Sequence, residues 1–281
     1  MPRRPLKKAF GPAAGLAPCC GHGIPRYAPR YVLFLFFLGC FLLGQARPAE
    51  AGDSPALIST YTTWFNADLD ARTQNIKVAA RSLDGRIVRR GEVFSFNLAT
   101  GPRSKDRGYE DAMIVVEGMA TPGVGGGVCQ VASTLYNAVL RAGLPVVERH
   151  PHSRPVPYVP LGTDATVSQD RLDLRFRNDL GVPIKISARV GEGCIAISLH
   201  GPPGRYREAA VVPILEDILP PPTLVLYDHR LPHGKRFLEQ QGQIGYRVAL
   251  WRDAGRPGVI SRDVYLPVPR VIRARTGKGQ D

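Results

Sequence analysis

The sequence predicts an α+β protein: a mixed first domain with a helix starting at a glycine loop around Cys129, then a small all-β module. Three observations carry that expectation. Apolar residues recur at helical spacing in two stretches, 73–83 and 128–139, then switch to strict alternation after residue 172. No helical period returns beyond residue 211. With 281 residues, of which 44% are apolar and 8% aromatic, the chain can bury one large core or two modest ones.

Thr60–Phe65 is β-branched and aromatic, the composition of a strand. In 73–83 the apolar positions are Ile76, Ala79, Ala80 and Leu83, one face of a helix that Asp84-Gly85 stops. Val93–Phe96 reads as a second strand, and turns follow at Gly101-Pro102-Arg103 and Gly108-Tyr109. Gly125, Gly126 and Gly127 open the next helix, whose apolar face is Val128, Val131, Leu135, Ala138 and Val139; Gly143-Leu144-Pro145 ends it. Leu172, Leu174 and Phe176, then Ile184, Ile186 and Ala188, then Ile195, Ile197 and Leu199 alternate with polar residues as half-buried strands do. Gly201-Pro202-Pro203-Gly204 marks a boundary. Beyond it Thr223–Tyr227, Tyr246–Trp251 and Val259–Val264 read as strands of a binding or spacer module without a cluster of catalytic groups.

Residues 1–51 have the three parts of an export signal. Arg3, Arg4, Lys7, Lys8, Arg26 and Arg30 precede the apolar run 31–44, and Ala49-Glu50-Ala51 supplies a small-residue exit. The run is short against the roughly 20 residues of a membrane span, so a cleaved signal is expected and an uncleaved anchor is the alternative. A lipoprotein reading through Cys40 is weaker, because apolar residues continue past it. The expected division is 1–51 for export, 52–203 for the first domain, 204–275 for the β module and 276–281 as a tail.

Net charge is +13, but the export segment holds 7 Lys/Arg against 1 acidic residue, leaving 30 against 23. A mildly basic exported protein suits an anionic surface such as a bacterial wall. No nucleic-acid recognition motif accompanies the charge, so no nucleic-acid partner is expected. Cys19, Cys20 and Cys40 fall in the export segment; Cys129 and Cys194 remain, and outside the cytosol they could pair.

Cys129 lies just after three glycines, in the first turn of a predicted helix. There the unpaired N–H groups and helix dipole lower a thiol pKa and can stabilise an oxyanion. Gly126 and Gly127 would let a substrate approach, and Gln130 offers a further amide donor. A cysteine nucleophile needs a base and the base an orienting partner. His152 is the first choice for base and His150 the second, with Asp164 or Glu148 as partner. Arg154 suits a carboxylate, and Tyr136 and Asn137 lie on the helix flank, structural or substrate-facing. The alternatives are a Cys129–Cys194 disulfide, histidines that merely bond backbone carbonyls, and a zinc set; no CxxC or HExxH spacing supports zinc, so no metal or cofactor is expected.

The blocks FSFN (94–97), GPR (101–103), GY (108–109), GGGVCQVASTLYNAVLRAGL (125–144), ERHPHSRPVPYVPLGTDATV (148–167) and DLRFRN (173–178) resemble the VanW family, over roughly residues 55–200. They depart from it slightly at Ala132-Ser133. The resemblance implies an exported or membrane-anchored bacterial envelope protein. It also implies an L,D-transpeptidase-like activity on peptidoglycan stem peptides, with Cys129 as nucleophile; a non-catalytic wall-binding or assembly factor is the alternative. Residues Glu239–Gly242, Gly245–Val248, Ser261-Arg262 and Tyr265–Pro267 are similar to a G-five module, which implies contact with wall glycan.

Overall fold

The computed structural model describes residues 55–116, 119–169, 171–254 and 257–275. The expected export segment and tail lie outside them. The described residues all fall in one compact unit, 48–281. In order it contains β1 (Ala56–Trp64), α1 (Asp70–Leu83), β2 (Ile87–Val88), β3 (Val93–Ser95), α2 (Phe96–Thr100), β4 (Asp111–Val116), β5 (Met119–Val124), α3 (Val128–Arg141), β6 (Val146–Glu148), β7 (Arg175–Arg177), β8 (Ile184–Gly191) and β9 (Cys194–Gly201). Six strands follow: β10 (Val211–Leu219), β11 (Thr223–Tyr227), β12 (Arg236–Gln240), β13 (Gly245–Arg252), β14 (Gly258–Tyr265) and β15 (Arg270–Ala274). Strands therefore dominate, with the helices confined to the first part.

An antiparallel sheet in the order β1-β9-β8-β2 carries α1 and α3. Its alternating strands bury Ile184, Ile186, Ile195, Ile197 and Leu199 under the helices, each contributing on the order of 1.5–3 kcal/mol. The α1 stripe Ile76, Ala79, Ala80 and Leu83 is buried as its spacing requires. Helix α3 is different. It buries polar Gln130, Ser133, Thr134 and Asn137 as well as its apolar face. The sheet covers one side and α1 another, while backbone from residues 163–167 and Leu250 of β13 close the rest.

Two local readings change. Phe96 leaves the expected strand because Ser95 caps α2, its Oγ accepting the Leu98 N–H at 3.1 Å. The Asp173 carboxylate adds to that cap, accepting from Ser95 Oγ at 2.5 Å and the Asn97 N–H at 2.9 Å. The β4–β5 hairpin occupies a stretch between the expected turns and the glycine loop to which no element was assigned from sequence.

The C-terminal strands form two small sheets, β10-β13-β14 and β11-β15-β12. The first is joined to the helices and sheet that precede it. Leu250 enters their core, Arg252 Nη1 donates to Leu144 O at 2.8 Å, and Ala209 N donates to Arg141 O at 2.7 Å. No helix among the described residues is long and apolar enough to cross a membrane.

Candidate active site

The glycine loop locks the start of α3. Gly125 and Gly127 have φ of 90° and 108°, which glycine adopts without strain. A Cβ on Gly126 would lie 2.5 Å from Met113 O and 2.8 Å from Ala112 Cβ; one on Gly127 would meet Ile76 Cγ1 at 3.0 Å. These glycines therefore admit the neighbouring β4 and α1, where the sequence reading had them admit a substrate. Asn75 Nδ2 completes the lock by donating to Gly126 O at 3.0 Å.

Cys129, half-buried, is the second residue of α3. Cys129, Ser133 and Asn137 are four residues apart and share one helix face. That face grips an extended segment running past it. The Cys129 thiol reaches Val167 O at 3.5 Å, Ser133 Oγ accepts the Ala165 N–H at 2.9 Å, and Asn137 Nδ2 donates to Thr163 O at 2.7 Å. Odd-numbered residues of the segment thus bond the helix, and the intervening Asp164 turns its carboxylate towards His152.

Asp164 Oδ2 accepts both from His152 Nδ1 and from the His152 N–H, each at 2.6 Å. With Nδ1 occupied, Nε2 is the nitrogen left for the hydrogen bond between His152 and Cys129. The result is a Cys129–His152–Asp164 line. Burial opposes charge on all three groups, and their mutual contacts overcome it. The Cys129 thiol is lowered by the His152 hydrogen bond and charge, with help from Val167 O and the Arg103 guanidinium. Asp164 and Cys129 raise His152 to about 9. Asp164 is lowered by His152, Arg149 and Tyr265. The line is suited to hold a thiolate beside an imidazolium.

Several supporting groups were not singled out from sequence. Arg103, noted only within the GPR block, donates to Val167 O at 3.1 Å and to Asn97 Oδ1 at 2.6 Å. Tyr158 sets its ring edge-on against His152, centroids 6.4 Å apart, and bonds Ser133. Arg149 donates from Nη2 to Asp164 Oδ1 at 3.1 Å, and Tyr265 Oη donates to the same oxygen. Tyr265 and Asp263, which holds Arg149 in turn, come from β14 of a module that read as lacking catalytic groups.

Other expected residues take different places. His150 turns to Glu148, Nε2 to Oε1 at 3.0 Å, and its side chain is 38% exposed. A zinc set needing both histidines around Cys129 does not match that placement. Gln130 is 1% exposed and already engaged: its Nε2 donates to Thr63 Oγ1 and Trp64 O, and its Oε1 accepts from Arg72. It braces α3 and has no donor left for an oxyanion. Tyr136, 2% exposed beneath the Arg149 guanidinium, is a core residue and not a substrate contact. Arg154 is half-buried and makes no hydrogen bond or ion pair among the described residues. No disulfide joins Cys129 to Cys194, which is buried in β9.

Residues 71–200 match the family model described as VanW like protein. Among curated proteins, the chain is 47% identical over 143 residues to the uncharacterized protein YoaR of Bacillus subtilis, covering 51% of this chain and 47% of that protein. It is 36% identical over 110 residues to the vancomycin B-type resistance protein VanW of Enterococcus faecalis, covering 37% and 40% respectively. The chain thus spans less than half the length of either relative. Among solved structures, HP0197-G5 aligns with 24% of this chain and 93% of its own at 22% identity and a TM-score of 0.19. The IgA1 protease G5 domain aligns with 27% and 100% at 18% identity and a TM-score of 0.19.

Proposed function

Residues 71–200 being a VanW-like domain, we propose that this chain is an extracytoplasmic cell-wall protein in which Cys129 carries out acyl transfer on peptidoglycan stem peptides. The observation that carries the reading is the Cys129–His152–Asp164 line, with Nδ1 of His152 tied to a buried carboxylate and the ring against the thiol. The basic, apolar and small-residue order of residues 1–51 supports export.

In this mechanism the Cys129 thiolate attacks the carbonyl between the third and fourth stem residues. The C–N bond to D-alanine breaks, and the leaving amine takes the His152 proton. A neighbouring stem amine then attacks the thioester and yields its proton to His152. A new amide departs and the thiolate–imidazolium pair returns. The Cys129 N–H, in the first turn of α3, suits the oxyanion; the Gln130 N–H is already taken by Gly127 O at 3.0 Å. Arg154, which has no hydrogen-bond or ion-pair partner among the described residues, would hold a stem carboxylate. The β module would contact wall glycan, as its likeness in sequence to G-five modules suggests.

The test is intact-mass spectrometry after incubation with tetrapeptide-stem muropeptides, with Cys129→Ala in parallel. An adduct on the native chain alone, with D-alanine released, is the expected outcome. A folded native chain with a titratable thiol that yields neither adduct nor product would refute acyl transfer and leave a wall-binding factor.

A further inference from the structure

We infer that Asp263, on the C-terminal module, is a positioning residue of the Cys129 site, acting through Arg149 to set the charge against which Asp164 holds His152. The inference rests on reading His152 as the base that serves Cys129, and it makes the module part of the working site.

On β14, Asp263 and Tyr265 are two residues apart and face the same way; they are 6% and 1% exposed, while Val264 between them is 45% exposed. Carboxylates are rarely buried so fully unless paired. Asp263 sets both oxygens on Arg149 Nη1, at 2.6 and 2.7 Å. The Arg149 side chain is itself 6% exposed. It lies over Tyr136, donates from Nε to Asp164 O at 2.6 Å, and reaches Asp164 Oδ1 with Nη2. Asp164 holds His152, His152 meets Cys129, and Cys129 lies beside Arg103.

From Arg103 to Asp263 the signs alternate once the thiolate and imidazolium form. Without Asp263, a buried Arg149 would have Asp164 as its carboxylate and would cancel much of the field that favours the imidazolium. With Asp263 present, the three groups Arg149, Asp164 and Asp263 carry one net negative charge. The remaining ionisable neighbours do not replace it. Tyr265 is a phenol held above its usual range and donates to Asp164; Tyr136 and Tyr158 are likewise raised by burial. Arg72 near Tyr158 and Arg252 near Tyr136 add positive charge.

The test follows the His152 ring proton by NMR across pH in the full chain, assigned by its loss in His152→Gln. At an effective dielectric of about 20, removing a charge that stands two hydrogen-bonded groups away should move a midpoint by roughly 1 pH unit. Asp263→Asn should therefore lower the His152 midpoint by that amount. Asp263→Ser, which leaves room for water at the guanidinium, makes the same test if the asparagine variant does not fold. Arg262→Gln, the outward-facing neighbour whose side chain is 67% exposed, should leave the midpoint in place. The double variant Arg149→Met/Asp263→Leu restores the net charge and should bring the midpoint back, an effect that a merely structural Asp263 would not produce. An unshifted midpoint in the folded Asp263 variant, or no recovery in the double variant, overturns the inference. No substrate is added, so a failure of the stem-peptide reading leaves this result intact.

Discussion

Replacing Asp164 with asparagine probes the line where its geometry is most demanding. The carboxylate accepts from four donors: the His152 N–H and Nδ1 on one oxygen, Arg149 Nη2 and Tyr265 Oη on the other. An asparagine offers one acceptor oxygen and one NH2, so whichever way it turns, two donors face a donor. The 2.6 Å contact to Nδ1 is a charge-assisted hydrogen bond of about 1.5–3 kcal/mol, equal to roughly 1 to 2 pH units on His152. Its midpoint should fall from about 9 towards 7 or 8, the Cys129 contact supplying what remains of the rise. The sign follows from the proton held. Above its midpoint His152 is neutral and can no longer protonate a leaving amine, so the alkaline limb of acylation descends with it. Acylation at pH 8 should drop by roughly two- to tenfold as the protonated fraction of His152 falls, and unfolding free energy by about 1–3 kcal/mol, since Arg149 keeps Asp263 as a counter-charge. Single-turnover acylation from pH 5 to 10, with urea unfolding alongside, measures both. An alkaline limb that stays near 9 in the folded variant would refute the assignment of Asp164 as the partner of His152.

Further outcomes follow from how the neighbouring residues are placed. His150→Gln should leave Cys129 alkylation by iodoacetamide within about twofold of the native rate, because His150 bonds Glu148 and stays outside the line. A tenfold loss would return His150 to the site. Gly126→Ala should cost about 1–3 kcal/mol in urea unfolding, since its Cβ would press on Met113 O and Ala112. An unchanged midpoint would show that the loop has slack the packing does not suggest.

Much of this was readable from residue spacing, and what was not has a physical reason. The stripe of α1 and the strands β8 and β9 were legible because a single buried face imposes its period on the sequence. Cys129 stood out through three glycines and a helix start, and the His-Pro-His block pointed to a base. Choosing between the two histidines required a partner. Both candidate carboxylates lie within sixteen residues of them, and only the grip of Ser133 and Asn137 on the backbone of 163–165 turns Asp164 towards His152. Gln130 misled because its three partners, Thr63, Trp64 and Arg72, lie on distant parts of the chain. Tyr136 misled because α3 is covered on its polar side too. Asp263 and Tyr265 are the instructive case. Alternation along β14 marks which residues face inward, and a carboxylate and a phenol facing inward both demand partners. Alternation does not say that those partners are Arg149 and Asp164, about a hundred residues earlier. An inward-facing carboxylate on β14 was therefore the available signal, and following it leads from the module to the thiol.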